Sequence, residues 1–186
     1  TVLAISHHKH ILMFGAQSLK DSRKGGDLLQ QALAFLPESL KAETLLLTIG
    51  SSGEDIAKTV GIPHLSLGYL DSDRLKSLAY SAADLFLFPT RADNLPLVLQ
   101  ESMACGTPMV SFNIGGVPDL VRPQETGYLA EAENAQDFCQ GIVQLLEDAP
   151  LREKMSANCR AIALEEYPLE LQAKRYLKLY QKVLKR

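Results

Sequence analysis

Short apolar runs bounded by turn residues alternate with helical patterns along most of the chain. The runs predict six strands: Ile11 to Gly15, Thr44 to Ile49, His64 to Leu67, Leu85 to Phe88, Pro108 to Phe112, and a short one at Tyr128 and Leu129. Most of them are continuously apolar, which is typical of parallel strands covered by helices on both faces. The pattern therefore predicts an α/β fold with a doubly wound parallel sheet of about six strands.

The segments between these runs carry the apolar spacing of helices. The predicted helices are Gly26 to Phe35, Glu54 to Val60, Asp73 to Ala82, Leu95 to Ala104, Gly116 to Val121 and Ala135 to Glu147. After Pro150 the pattern is wholly helical, with a break at Tyr167 and Pro168 and a last segment from Leu169 to Leu184. We expect residues 1–186 to form a single domain, with 149–186 as a helical tail that packs across it or reaches toward a neighbouring domain.

Composition and charge narrow the classes of partner. The 186 residues are 46% hydrophobic and can bury a substantial core, while a net charge of −3 provides no basic field for nucleic acid. No apolar run reaches the roughly 18 to 20 residues needed to span a bilayer, so any membrane contact is expected to be peripheral.

The cysteines, Cys105, Cys139 and Cys159, are odd in number and widely spaced, which favours a reducing cytoplasm over a disulfide framework. Because the sequence begins at Thr1 rather than Met, we expect a fragment of a longer protein.

Candidate chemistry is expected in the loops that follow the strands. In open α/β sheets ligands bind outside the carboxyl ends of the strands, where helix N-termini and free backbone N–H groups are presented. The first such loop, FGAQSLKDSRKGG, brings Lys20, Arg23 and Lys24 close to a helix start. A cation there opposes the helix dipole unless an anion lies between them, so the loop is either a phosphate clamp or a solvated charged loop. Neither a GxGxxG dinucleotide motif nor a GxxxxGKS/T phosphate loop occurs.

Two acids, Asp93 and Glu101, bracket the predicted helix after the fourth strand. If all the intervening residues were helical, their backbones would lie about 12 Å apart, a span that suits a nucleotide diphosphate sugar. Capping by Asp93 or Asn94, with Pro96 in the first turn, also explains the start of this helix. Glu101 has apolar neighbours, and a carboxylate removed from water needs a partner. That partner could be a pair of ribose hydroxyls or a Lys or Arg at the helix rim.

The histidines and Cys105 have side chains that can bind metals or act as nucleophiles, but their positions in the sequence do not indicate a functional site. The histidines are His7, His8, His10 and His64. The first three precede the first strand, so a frayed terminus is favoured over a metal site. Cys105 is expected at a helix C-terminus, where the dipole does not favour a thiolate, and is interpreted as a packed small hydrophobe. The sequence therefore predicts no metal site and no bound cofactor.

A longer motif carries a resemblance to a known family. The stretch AADLFLFPTRADNLPLVLQESMACGTPMVSFNIGGVPDLV, followed by TGYLA, resembles the C-terminal donor-binding domain of retaining glycosyltransferases of the family 4 type. The resemblance begins at FGAQSLKDSRKGGDLL and covers nearly the whole chain. It implies a Rossmann-like sheet that forms one half of a GT-B fold, with the N-terminal acceptor domain missing from this chain.

The resemblance also implies roles for individual residues. The family has two acids separated by seven residues, and here Asp93 takes the place that faces the hexose and Glu101 the place that holds the ribose. Lys24 matches the phosphate-binding lysine, so Lys24 and Asp93 are the implied catalytic residues, for leaving-group stabilisation and donor positioning. Further donor contacts are implied at Arg23, Gly50, Gly68, Tyr69 and Leu70, and at the backbone of Asn94, Leu95, Leu97 and Val98.

Three positions depart from the family pattern. The first acid is usually Glu, and Asp93 is shorter by one methylene. A family arginine commonly follows the Gly of the first strand, where this chain has Ala16, and Pro96 removes one backbone donor where the family often has a small or aromatic residue. These departures leave open a second interpretation, in which the chain is a non-catalytic nucleotide-sugar-binding subunit or sensor.

The implied reaction is the retaining transfer of a hexose from a nucleotide diphosphate sugar to a hydroxyl of a saccharide or lipid-linked acceptor, in polysaccharide or glycolipid biosynthesis. It requires no metal, since Lys24 and a helix N-terminus would stabilise the leaving diphosphate. We expect the N-terminal domain of the same protein to supply the acceptor contacts, so that this chain alone binds nucleotide but transfers no sugar. The expected location is the cytoplasm, with possible peripheral contact at the membrane face.

Overall fold

A parallel sheet forms the centre of the molecule, for which a computed structural model describes residues 10–16, 21–50 and 53–184. Its strands are β1 His10–Ala16, β2 Thr44–Gly50, β3 His64–Ser66, β4 Leu85–Phe88, β5 Met109–Phe112 and β6 Gly127–Ala130. All pair in parallel, in the order β3-β2-β1-β4-β5-β6. The predicted α/β class and Rossmann-like parallel sheet are confirmed.

Helices cover both faces of the sheet because strand side chains alternate between the two faces. The helices are α1 Gly26–Ala34, α2 Glu38–Glu43, α3 Gly53–Val60, α4 Asp73–Ala82, α5 Leu97–Ala104, α6 Ala135–Glu147, α7 Ala149–Glu166 and α8 Leu169–Leu184. On one face, Leu12 and Phe14 pack with residues of α1, α3 and α6. On the other face, Met13 packs with residues of α4, α5 and α7. The continuous apolar strands thus supply two separate cores.

Three elements differ from the sequence prediction by more than one residue at an end. Helix α2 was not predicted, because it is a single short segment of mixed polarity that begins after Pro37. Helix α5 begins at Leu97 rather than Leu95, since Pro96 occupies the N-cap with an extended backbone. The predicted helix from Gly116 to Val121 is only a short 3-10 turn, Val117–Asp119.

The helical tail has two unlike parts. Helix α7 packs against α5 and α6 and buries Met155, Cys159 and Ile162. Helix α8, by contrast, contributes no buried residue among the described residues 169–184. Its exposed apolar side chains include Leu169, Tyr176, Leu177, Leu179, Tyr180 and Val183. In the described part of the chain, no helix has both the length and the apolar character needed to cross a bilayer.

The strand order fixes where a ligand-binding crevice can form. Successive strands run from β1 through β2 to β3 toward one edge, and from β4 through β5 to β6 toward the other. The connections that leave β1 and β4, which are neighbours, therefore diverge to opposite sides and leave a crevice at their carboxyl ends. This topological switch point is where open α/β sheets bind ligands.

Candidate functional site

A cleft of about 410 Å³ lies at the carboxyl edge of the sheet, at the switch point between β1 and β4. It is lined by residues of both strands, of the 3-10 turn after β1, of the end of β2, of the loop after β3, and of helices α4 and α5. The lining residues are Met13, Gly15, Lys24, Ile49, Gly50, Tyr69, Leu70, Lys76, Tyr80, Phe88, Val98 and Glu101. We call the part around Lys24 the lysine end and the part around Glu101 the glutamate end.

At the lysine end, a tight turn carries Lys24 to the cleft. Asp21 caps the 3-10 turn Ser22–Lys24 by accepting a hydrogen bond from the Arg23 N–H at 3.1 Å. Gly25 follows with φ of 64°, the left-handed region that favours glycine. A Cβ at Gly25 would overlap the carbonyl oxygen of Pro89, at the end of β4. The Lys-Gly pair in the sequence is therefore explained by close contact between this turn and β4.

The ammonium of Lys24 lies between a carboxylate and an aromatic ring. Its Nζ is 3.6 Å from Asp93 Oδ2, with exposed side-chain fractions of 35% and 24% for the two residues. The same Nζ lies 5.9 Å from the centroid of the Phe88 ring, at the outer limit of a cation–π contact. Lys24 is therefore already charge-compensated in the free chain, and it faces the cleft from a half-buried position.

Arg91 joins the two loops that form the lysine end. Its guanidinium makes a bidentate pair with Asp27 at 2.7 Å for both bonds, and Nε binds Glu133 at 2.8 Å. Nη1 also donates to the Ser22 carbonyl at 2.8 Å, and the Arg91 N–H donates to the Arg23 carbonyl at 2.7 Å. These carboxylates raise the pKa of Arg91, and the guanidinium lowers the pKa of Asp27. The Arg91 contacts, which we call the Arg91 latch, hold the Lys24 turn against the loop after β4.

Two glycines place Asp93 at the edge of the cleft. Gly115 has a positive φ of 49°, and a Cβ there would overlap the Asp93 carbonyl oxygen. A Cβ at Gly116 would overlap the Asn94 carbonyl oxygen, and the Gly116 N–H donates to the Asp93 carbonyl at 3.3 Å. The Gly-Gly pair after β5 thus lets the loop after β4 lie directly against it.

The capping interpretation of Asp93 and Asn94 is wrong, because Pro96 is the N-cap of α5 and no side chain caps it. Asp93 therefore lies outside the helix, and the span of about 12 Å for an all-helical segment does not apply to it. The first N–H groups of α5, at Leu97 and Val98, belong to the set that a helix leaves without intrahelical partners. They give the helix N-terminus its partial positive charge next to the cleft.

The glutamate end is bounded by the end of β2 and by the loop after β3. The Gly50 N–H donates to the Gly68 carbonyl at 2.7 Å, and both glycines have positive φ, 95° and 64°. This bond holds the end of β2 against the loop after β3, and Ile49, Gly50, Tyr69 and Leu70 all line the cleft.

Glu101 is less buried than its apolar neighbours predicted, since 41% of its side chain is exposed. Its Oε2 accepts a hydrogen bond from the Tyr80 hydroxyl at 3.1 Å, and its Oε1 lies 3.8 Å from Lys76 Nζ. Burial, followed by the charge of Glu101, raises the pKa of Tyr80. The hydrogen bond to Asp73, followed by the charge of Glu101, raises the pKa of Lys76. Glu101 therefore has the lysine partner that one of the two sequence interpretations predicted. It also lines the cleft, where a ligand can reach it.

The structure brings together half of the residues implied by the resemblance. Lys24, Gly50, Tyr69, Leu70, Val98 and Glu101 line one cleft. Asp93 reaches it through its pair with Lys24. Arg23 does not line it: its guanidinium binds Asp21 at 2.7 Å and its side chain is 71% exposed. Leu95 and Leu97 instead line a neighbouring groove of about 520 Å³ between α5 and α8.

Sequence reasoning missed several residues of the site. Lys76 and Tyr80 lie four residues apart on α4 and so share one face of that helix, a spacing that could have indicated them. Phe88 is the last residue of β4 and therefore lies at the carboxyl edge. No local signal distinguishes Arg91, whose partners come from distant parts of the chain.

Among the described residues, neither the histidines nor the cysteines line the cleft. His10 is buried at the start of β1, so its assignment to a frayed terminus is wrong, while His7, His8 and Lys20 lie outside the described residues. Cys105 follows α5, and burial raises the pKa of its thiol. Across residues 10–16, 21–50 and 53–184, no group of three His, Cys, Asp or Glu side chains could hold a metal ion.

Most of the chain is similar to known proteins. N-acetyl-alpha-D-glucosaminyl L-malate synthase of Bacillus anthracis is 29% identical over 157 residues, which are 83% of this chain and 41% of that protein. Sucrose-phosphate synthase from Thermosynechococcus elongatus superposes with a TM-score of 0.80 at 26% identity, over 94% of this chain and 45% of that one.

A third similarity concerns the fold alone. HepE of Anabaena, solved in complex with UDP and glucose, superposes with a TM-score of 0.80 at 20% identity, over 97% of this chain and 50% of that one. The chain thus spans about half the length, or less, of these three proteins.

The family comparison covers both ends of the cleft. The family model described as "Glycosyl transferases group 1" matches residues 6–161, a range that holds every lining residue of the cleft. The chain therefore belongs to the glycosyl transferases of group 1 and has the fold of a C-terminal GT-B domain.

Proposed function

We propose that the cleft binds a nucleotide diphosphate sugar and that the full-length protein transfers its hexose to an acceptor hydroxyl with retention, as a family 4 type enzyme. One observation carries the proposal: Lys24, Val98 of the first turn of α5, the carboxylate of Glu101, and the Gly50, Tyr69 and Leu70 segments line a single cleft at the switch point. The proposal assigns these groups to the diphosphate, the ribose and the base. Membership of the family and the UDP and glucose held by HepE support the same ligand class.

Each end of the cleft has its own part in this proposal. At the lysine end, Lys24 and the N–H groups of Leu97 and Val98 bind the diphosphate, and Asp93 faces the hexose. At the glutamate end, Glu101 binds the ribose hydroxyls. The base lies against the segment formed by Gly50, Tyr69 and Leu70, at the same end of the cleft.

The proposed chemistry is electrostatic. As the bond between the sugar and the diphosphate breaks, negative charge develops on the diphosphate. Lys24 and the positive end of the α5 dipole stabilise that charge, and this scheme requires no metal. Binding of the diphosphate must first separate Lys24 from Asp93, which leaves Asp93 free to accept from a hexose hydroxyl.

The rest of the enzyme lies in the N-terminal domain that we place in the full-length protein. That domain would close over the donor and bind a saccharide or lipid-linked acceptor. The described chain would therefore bind nucleotide and transfer no sugar by itself. We place the protein in the cytoplasm, where its free cysteines stay reduced, with peripheral membrane contact if its acceptor is lipid-linked.

Thermal-shift titration of this chain with UDP, GDP, ADP and their sugars tests the binding. A ligand at about 100 times its dissociation constant stabilises the chain by about 2.7 kcal/mol. The Glu101→Ala variant should lose most of the shift. Glu153→Ala, on the exposed surface of α7, is the matched control and should retain it. If none of these ligands shifts the unfolding temperature, the proposal fails.

A measurement of turnover distinguishes an enzyme from a non-catalytic binding subunit. Full-length protein should transfer sugar from one donor of the panel, and Glu101→Ala should reduce that turnover. Binding without turnover in the full-length protein would favour a non-catalytic sensor, for which Ala16 and Pro96 are the sequence arguments.

A further inference from the structure

Helix α4 directs two side chains at one carboxylate of the neighbouring helix. Tyr80 donates its hydroxyl to Glu101 Oε2 at 3.1 Å, and Lys76 Nζ lies 3.8 Å from Glu101 Oε1. The two residues are one helical turn apart and therefore project from the same face of α4. Each carboxylate oxygen of Glu101 thus has a partner of its own.

Tyr80 has little freedom to move. Its side chain is buried, and its ring packs edge-on against Phe86, with the centroids 5.2 Å apart and an angle of 65° between the rings. Its backbone carbonyl accepts a hydrogen bond from the Thr107 hydroxyl at 2.7 Å. Burial also raises the pKa of Tyr80, so its hydroxyl stays protonated and remains a donor. The hydroxyl is therefore a fixed point against which Glu101 is oriented.

Lys76 supplies the second restraint, and it is a softer one. Its Nζ makes a salt bridge with Asp73 at 2.8 Å, and 31% of its side chain is exposed. This bridge holds the ammonium on the side of α4 that faces Glu101. An exposed ion pair of this length stabilises a side chain only weakly, so we expect Lys76 to contribute less than Tyr80.

We propose that Tyr80 and Lys76 are positioning residues that hold Glu101 in the orientation in which it binds the ribose hydroxyls. The proposal rests on the proposed function, since it assigns the ribose to Glu101. A carboxylate has about four acceptor positions, so two remain for vicinal hydroxyls after the contacts with Tyr80 and Lys76. An oriented carboxylate binds more tightly than a mobile one because less side-chain freedom is lost on binding.

The test compares ligands with and without the hydroxyls. Binding of UDP and of 2′,3′-dideoxy-UDP is measured by calorimetry for the wild-type chain and for Tyr80→Phe, or with the GDP or ADP pair if the titration selects that base. Tyr80→Phe should weaken UDP binding by about two- to tenfold. It should leave dideoxy-UDP binding unchanged, because that ligand makes no use of Glu101.

A matched control removes a similar hydroxyl elsewhere. Tyr128 on β6 donates its hydroxyl to Asp137 at 2.6 Å, away from the cleft. Tyr128→Phe should leave the binding of both ligands unchanged. A double-mutant cycle gives the second readout: in a Glu101→Ala background, Tyr80→Phe should no longer weaken UDP binding.

Three results overturn the proposal: no effect of Tyr80→Phe on UDP, an equal loss for UDP and dideoxy-UDP, or a loss that persists without Glu101. If Tyr80→Phe does not fold, the same measurements are made on Lys76→Met, on the surface of α4. The proposal then requires that Lys76→Met weaken the binding of UDP and leave the binding of dideoxy-UDP unchanged. Failure of the proposed function is distinguishable, since the wild-type chain would then bind neither ligand.

Discussion

The two ends of the cleft orient their charged groups by different interactions. At the lysine end, Lys24 and Asp93 lie on loops that are joined by the Arg91 latch and by close contacts of glycine with backbone. At the glutamate end, Glu101 projects from a regular helix and is oriented by Tyr80, which belongs to the core between α4, α5 and the sheet. One end is therefore fixed by ion pairs among partly exposed residues, and the other by a buried aromatic side chain.

This difference suits the two parts of the proposed ligand. A diphosphate is strongly charged and must displace the Lys24–Asp93 pair, which surface loops can accommodate. A ribose is neutral, and its recognition depends on hydroxyl geometry, which a rigid carboxylate serves better. The lysine end should accordingly respond to salt, acid and loop substitutions, while the glutamate end should respond to changes in packing.

The largest effect is expected where the Lys24 turn touches β4. Gly25→Ala places a Cβ against the Pro89 carbonyl at a φ of 64°, so we expect a loss of about 2–5 kcal/mol in the free energy of unfolding. Gly61→Ala is the matched control, with a φ of 72° and no atom within 4 Å of the added Cβ. It should cost only about 1–2 kcal/mol. Urea unfolding of both variants measures the difference, and equal losses would show that the turn does not depend on this contact.

The second-largest effect is expected from removing Arg91, and a comparison with Arg122 tests whether the Arg91 latch does more than an ordinary surface ion pair. Arg91→Ala should cost about 1–2 kcal/mol of stability, since its charged hydrogen bonds are partly exposed, and it should also weaken UDP binding because the Lys24 turn loosens. Arg122 is the matched control: it makes a bidentate pair with Glu166, and its side chain is 30% exposed against 25% for Arg91.

Arg122→Ala should destabilise the chain by a similar amount and leave UDP binding unchanged, since it joins α7 to the loop before β6. The comparison is read by urea unfolding and calorimetry. If Arg122→Ala weakens UDP binding as much as Arg91→Ala, the latch has no specific part in the lysine end.

The sequence predicted the frame of the site better than its internal contacts. Apolar strands and glycine turns are local signals, and together with the family resemblance they assigned Lys24, Gly50 and Glu101 to one site at the edge of a parallel sheet. The contacts of Arg91 with Asp27 and Glu133 join residues 64 and 42 positions apart, and Tyr80 meets Glu101 across 21 positions. Such pairs depend on how loops and helices pack, which no local pattern contains.

The start of α5 shows how a local signal can also mislead. Asp93, Asn94 and Pro96 have the composition of a helix N-terminus. In the structure α5 instead begins only after Pro96, because Gly115 and Gly116 pack against the backbone of Asp93 and Asn94. The contact from β5 thus overrides the capping propensity and leaves Asp93 free to pair with Lys24.

A smaller effect is expected from removing the charge of Asp93. Asp93→Asn leaves Lys24 without its carboxylate at 3.6 Å, so the ammonium is free for the diphosphate. UDP should then bind about two- to fivefold more tightly at low salt, because an exposed pair is worth up to about 1 kcal/mol. UDP is the probe because it lacks the hexose that Asp93 is proposed to contact.

The control for Asp93→Asn is an acid that flanks the Lys24 turn, Asp21. Asp21→Asn removes the partner of Arg23, which does not line the cleft, and an Asn still caps the turn. It should leave UDP binding nearly unchanged. In about 1 M salt, where charges are screened beyond about 3 Å, the gain from Asp93→Asn should shrink. A gain that is insensitive to salt would mean that Asp93 does not compete with the diphosphate for Lys24.

The smallest effect is the acid dependence of the Arg91 latch. Arg91 lowers the pKa of Asp27 below its ordinary value of about 3.9, so protons bind more readily to the unfolded chain than to the folded one as the pH falls. The stabilisation from this pair is therefore complete above about pH 5 and is lost as the pH falls through the lowered pKa. Because 57% of the Asp27 side chain is exposed, we expect less than about 1 kcal/mol from it.

Urea unfolding of the wild type and of Arg91→Ala between about pH 7 and pH 3 measures this contribution. The difference in stability should be constant down to about pH 5 and then decrease. Gly61→Ala, which removes no ionisable contact, should differ from the wild type by the same amount at every pH. If the Arg91→Ala difference is equally flat, the bidentate pair adds no stability at the lysine end. The Arg91 latch would then act through its hydrogen bonds to the Ser22 and Arg23 carbonyls alone.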